Sequence, residues 1–129
     1  MKQQSDLERS LVVAVVDDDA AVCNSLKFAL ELEGFVVRSY DGAAEALQAG
    51  KLDNCDCFVI DQRMPNLPGI ELIMKLRSQK NVTPAILLVS NPAGATLCAQ
   101  AAKNGIPIVE KPLLDNALVE TIRQLCQHD

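Results

Sequence analysis

The chain has 129 residues, 49% of them apolar, and a formal net charge of −5 from 12 Lys and Arg against 17 Asp and Glu. That is enough to bury the core of one domain, while the acidic balance argues against non-specific binding to nucleic acid or an anionic membrane. Aromatic residues make up 3%, too few for a base-stacking platform. No apolar run reaches the length of a membrane span, and the N-terminus lacks a signal-peptide pattern, so a cytoplasmic protein is expected. The cysteines, Cys23, Cys55, Cys57, Cys98 and Cys126, are odd in number and mostly sit inside apolar segments. Cys55-Asp56-Cys57 has neither a zinc nor a redox spacing, and reduced thiols, mostly in the core, are expected.

Residues Met1 to Ser10 are polar and read as a flexible lead-in, with the domain proper over 11–127. Leu11 to Val16 is a buried strand that ends in Asp17-Asp18-Asp19. Ala20 to Glu33 has helical periodicity, with Val22, Leu26, Ala29 and Leu30 on one face and Gly34 closing the helix. Phe35 to Tyr40 alternates like a strand. Asp41 is placed to cap a short helix from Gly42 to about Ala49.

The next strand begins near Cys57 and stops at Asp61. Phe58, Val59 and Ile60 are aromatic or β-branched, and the unbroken apolarity predicts burial on both faces. Met64-Pro65 and Pro68-Gly69 turn the chain into a helix from about Gly69 to Ser78 that carries Ile70, Ile73, Met74 and Leu76. Ala85 to Ser90 is another buried strand. Pro92 to Asn104 reads as an alanine-rich helix ended by Gly105, and Ile106 to Glu110 as a short strand before Lys111-Pro112. Asp115 is placed to cap the last helix, with Leu118, Val119, Ile122 and Leu125 on one face. Strand and helix alternate five times, which predicts an α/β fold: a parallel sheet between two helical layers.

Asp17, Asp18, Asp61, Ser90 and Lys111 each close an apolar strand on the sheet's carboxyl edge, where open α/β sheets bind ligands. Crowded carboxylates repel one another and favour a divalent cation. Mg2+ takes oxygen ligands and often bridges carboxylates to a phosphoryl group. A lysine ammonium and a serine hydroxyl can hold the remaining phosphoryl oxygens, and a carboxylate can be the nucleophile. The set therefore points to Mg2+-assisted phosphoryl transfer onto an aspartate. Each residue has an ordinary alternative: Asp19 as a helix cap, Asp61 and Ser90 as turn residues, Lys111 as a solvated side chain. Polar, complementary residues at every one of these strand ends are much harder to reach by accident.

Val15-Val16-Asp17-Asp18-Asp19, Asp61-Gln62-Arg63-Met64-Pro65 with Pro68-Gly69, Ser90 and Lys111-Pro112 together resemble the receiver domain of two-component response regulators, over about residues 11–127. The resemblance implies a doubly wound, five-stranded parallel sheet in order 2-1-3-4-5. It implies Asp61 as phosphoacceptor for a histidine kinase or phosphotransfer protein. Asp18, Asp61 and the Arg63 carbonyl would bind Mg2+, with Asp17 acting through water, and Lys111 and Ser90 would hold phosphoryl oxygens. Lys111-Pro112 would be a cis peptide. Output or dimerisation would run through the fourth helix, fifth strand and last helix. The Met-Pro and Glu-Lys-Pro contexts resemble receivers attached to transcriptional output domains. Catalysis would be limited to self-phosphorylation and slow self-hydrolysis.

Two positions depart from the family pattern. Ile108 stands where an aromatic switch residue is usual, and Asn91 where a small residue usually follows the hydroxyl. Both bear on the activation relay more than on phosphorylation. Two other functions compete. A pseudo-receiver would dock partners without phosphorylation, which retention of the acceptor, metal and lysine positions disfavours. A haloacid-dehalogenase-like hydrolase would need a second Asp two residues after the nucleophile, where Arg63 stands.

Overall fold

The computed structural model describes residues 10–48, 50–90, 93–111 and 116–126. Expectations that fall on residues 1–9, Asn91, Pro92, Pro112 and Asp115 lie outside them. The elements run β1 (Val12–Val16), α1 (Ala20–Leu32), β2 (Val36–Tyr40), α2 (Gly42–Ala46), β3 (Cys57–Asp61), α3 (Gly69–Ser78), β4 (Ala85–Val89), α4 (Ala95–Lys103), β5 (Ile108–Glu110) and α5 (Ala117–Cys126). All strand pairs are parallel, in the order β2-β1-β3-β4-β5, as expected from the resemblance.

Because side chains alternate across a strand, each central strand feeds two cores. Ala14, Val16, Phe58, Ile60 and Leu87 pack under α2, α3 and α4, against Ala43, Ile70, Ile73, Leu76 and Ala101. Val13, Val15, Cys57, Val59, Ile86 and Leu88 pack under α1 and α5, against Cys23, Leu26, Leu30, Leu118 and Ile122. Burial of β3 and β4 on both faces explains their unbroken apolar sequences.

The structure corrects several local expectations. The buried face of α1 is Cys23, Leu26 and Leu30; Val22 is half-buried and Ala29 exposed, because Ala29 lies on the far side of Leu26 from Cys23. Strand β2 does not alternate cleanly: Val37 and Tyr40 are buried, each on a different face, while Val36, Arg38 and Ser39 are exposed, as its position at the sheet edge allows. Helix α2 ends at Ala46. Asp41 makes no side-chain cap there; its N–H donates to the Glu45 carboxylate instead. Helix α4 begins at Ala95, and the last strand is confined to Ile108–Glu110. Gly34 does end α1, with φ +97° and its N–H donating to the Glu31 carbonyl.

Candidate functional site

The pairing of Val16 with Ile60 places Asp17 and Asp61 side by side, one residue past the ends of that register. Both carboxylates are buried, Asp17 to 2% and Asp61 to 4% exposure. The Asp17 N–H donates to the Tyr40 carbonyl at 3.2 Å. Its Oδ1 accepts from the Asp19 N–H at 2.9 Å, while Oδ2 is buried with no hydrogen-bond partner. Asp19 caps α1, accepting from the N–H groups of Ala21 and Val22, so of the two exposed residues of the triplet it is Asp18 that joins Asp17 at the site. Carboxylate oxygens of Asp17, Asp18 and Asp61 all lie within 4.8 Å of one another.

Lys111 enters from the other side. Its N–H donates to the Val89 carbonyl at 2.8 Å, continuing the β4–β5 ladder beyond Glu110. The ladder aims its side chain across the sheet edge, and Nζ lies 2.6 Å from Asp61 Oδ1. At that distance the contact is a charge-assisted hydrogen bond. Asp17, Asp18, Asp61, Arg63, Ser90 and Lys111 all line one cleft of about 690 Å3. Every residue expected at the site is thus brought together. Ile108 is not among the lining residues; it is half-buried and packs on the core beneath α4.

Three contributors have no role at the site in the motifs read from the sequence. Gln62 holds the loop after the acceptor: its N–H donates to the Leu88 carbonyl, its own carbonyl accepts from Gly69, and its Oε1 accepts from the Ile70 N–H at 2.9 Å. The first turn of α3 is therefore tied to the residue after Asp61. Met64 is buried and forms part of the cleft wall. The Cys23 thiol donates to the Asp17 carbonyl at 3.4 Å, supporting that strand end from below. A glutamine flanking the acceptor, and a cysteine four residues after an N-cap, were the only available signals.

Burial pushes the Asp17 carboxyl above the usual carboxylate range, opposed by the Asp19 N–H; Asp61 and Asp18 push it up further and Lys111 draws it down. A buried carboxylate with an orphaned oxygen beside two others is an unsatisfied arrangement. A hard divalent cation with oxygen preference would satisfy it. The donor set, all oxygen and partly open to water, fits Mg2+.

The model of the response regulator receiver domain family matches residues 13–123 of this chain. The chain belongs to that family. This receiver domain is 36% identical over 118 residues to the transcriptional regulatory protein FixJ of Azorhizobium caulinodans, covering 91% of the chain and 56% of the relative. It thus spans about half the length of the curated relatives it matches. Its fold matches the crystal structure of FixJ-N with a TM-score of 0.82 at 31% identity, covering 94% of this chain and 97% of the other. The response regulator TrrA of Thermotoga maritima, solved in complex with Mg2+ and BeF, matches with a TM-score of 0.76 at 26% identity, covering 89% and 98%. Among the described residues, no helix of the receiver is long and apolar enough to cross a membrane.

Proposed function

We propose that this receiver accepts a phosphoryl group from a histidine kinase onto Asp61 in a Mg2+-dependent step. The supporting observation is the contact of Lys111 Nζ with Asp61 Oδ1, 2.6 Å, beside a second and third carboxylate in one cleft. Asp18, Asp61 and the Arg63 carbonyl would hold the ion, with Asp17 behind them through water. When bound, Mg2+ offsets the charge of the carboxylates and of the incoming phosphoryl oxygens. An Asp61 oxygen attacks phosphorus, the bond to the donor breaks, and the donor leaves with the electron pair. An acyl phosphate remains on Asp61. Lys111 follows the negative charge from the carboxylate to a phosphoryl oxygen, and the Ser90 hydroxyl, on the rim of the same cleft, donates to another. Hydrolysis of the adduct is slow, and the domain turns over no external substrate.

The same reading takes residues 11–127 as the domain, in a cytoplasmic protein. The output route is the face formed by α4, β5 and α5, leading to dimerisation or to a transcriptional output domain. The names of the relatives support that output. Intact-mass measurement after incubation with acetyl phosphate and Mg2+ tests the acceptor. One phosphoryl adduct is expected, and it should not form when the metal is chelated beforehand or in Asp61→Asn. Asp18→Ala should weaken Mg2+ binding followed by an NMR probe near Asp61. An adduct that persists in Asp61→Asn, or metal affinity unchanged in Asp18→Ala, overturns the assignment. So does a wild type that neither small donors nor a kinase phosphorylates.

A further inference from the structure

All five cysteines are thiols, and two of them meet at the end of the sheet opposite the acceptor. Cys57 opens β3 and is 0% exposed, with its side chain in the core layer under α1 and α5. Cys126 closes α5, is half-buried, and packs on the edge of the same layer. The Cys126 thiol donates to the carbonyl of Asp56 at 3.4 Å, the residue before Cys57. The two thiols are near neighbours in that layer, Cys126 being the first influence on the Cys57 thiol. Cys126 further lines a cleft of about 230 Å3 with Cys55, Asp56, Leu11 and Pro84.

We propose that Cys57 and Cys126 form an oxidisable thiol pair, closed to a disulfide by a peroxide, which pins the last turn of α5 to the first residue of the acceptor strand. Access sets the order of events. Cys57 has no exposed surface, so the oxidant meets Cys126 at its cleft. The Cys126 sulfur takes one oxygen from the peroxide, giving a sulfenic acid and water. The Cys57 sulfur then attacks the Cys126 sulfur; the S–S bond forms, the S–O bond breaks, and hydroxide leaves with the Cys57 proton as water. Two thiols lose two hydrogens, and one hydrogen peroxide becomes two waters. The neighbouring Cys126 thiol and burial push the Cys57 thiol up, so Cys57 is not the first to react. The thiols of Cys55, Cys57 and Cys126 are not a soft-metal site: among the described residues, only Asp17, Asp18 and Asp61 converge closely enough to share an ion.

The test is hydrogen peroxide treatment of the full chain, followed by non-reducing digestion and mass spectrometry. The expected product is a cross-linked peptide joining Cys57 to Cys126, two hydrogens lighter than its parts and reopened by a thiol reductant. It should form in Cys55→Ser and be absent in Cys126→Ser. The thermal midpoint should rise on oxidation in wild type and not in Cys126→Ser. Wild-type mapping needs no variant to fold. A cross-link to Cys55 or Cys98, a bridge between chains, oxygen addition at Cys126 without a bridge, or no oxidation at Cys126 would each overturn the proposal.

Discussion

Gly69 sits against the backbone of Asp61, so close that a Cβ there would lie 2.4 Å from the Asp61 carbonyl oxygen and 2.9 Å from Leu87 Cδ1. Helix α3 docks on the acceptor strand through a missing side chain. In isolation, alanine favours a helix over glycine by about 1 kcal/mol. Here the obstacle is backbone, which cannot swing aside, and overpacking costs about 1–3 kcal/mol. Gly69→Ala should therefore lower the stability measured by urea unfolding, and should also slow formation of the adduct on Asp61. A stabilised variant with unchanged phosphorylation would show that this close approach does not matter.

Asp17→Asn should separate the fold from the metal. The amide keeps an acceptor for the Asp19 N–H and removes a buried charge whose second oxygen has no partner. Without metal, stability should rise by about 1 kcal/mol, a usual size for one substitution. Mg2+ affinity should fall by about 10–100-fold, as when an outer-sphere group is lost. Calorimetry with and without Mg2+ reads both effects, which should have opposite signs.

Burial, with the charges of Asp17 and Asp41 nearby, pushes the Cys23 thiol from 9.0 up to about 11. The fold thus favours the protonated thiol. Its contribution is complete below pH 9, the unfolded value, and is lost as pH rises through about 11. Cys55, Cys57 and Tyr40 are shifted in the same direction, burial being the first cause for Cys55 and Tyr40 and the neighbouring Cys126 thiol for Cys57. Stability measured across this alkaline range should decline, and Cys23→Ala should flatten part of the decline despite a lower plateau. An identical slope in the variant would contradict this reading.

Ile108 is half-buried and packs its aliphatic side chain on the core layer that includes Ala101 of α4. It has no ring to turn and no hydroxyl to present, so activation should run through the segment after Ser90 and a shift of α4. Ile108→Tyr should change dimerisation or partner affinity more than the phosphorylation rate. Measuring both decides the matter; a collapse of phosphorylation with partner binding untouched would place Ile108 in the active-site core.

What could be read in advance follows from burial. Strands β1, β3 and β4 are nearly or wholly buried, so their apolar runs ended visibly at Asp17, Asp61 and Ser90. Strand β2 is an edge, where Val36 can stay 47% exposed, and periodicity there carried little information. The strand order came from the family resemblance, since alternation alone does not order a sheet. Gln62 and Cys23 stayed hidden because they act through hydrogen bonds to backbone atoms of other elements or turns, which leave no pattern in the chain. The triplet Asp17-Asp18-Asp19 showed that carboxylates gather, but only the fold separates a buried one, an exposed one and a cap.

Strand β3 is laddered to β1 on one side and β4 on the other, and its five residues are all buried. Amides in such a position exchange with solvent only when the whole domain opens, while loops around them open at much lower free energy. The phosphoryl group would therefore be attached to the slowest-exchanging part of the molecule. The response would have to come from parts of the molecule outside that ladder, which can open without global unfolding. Deuterium uptake should rank them accordingly, with the amides of Val59 and Ile60 among the last to exchange.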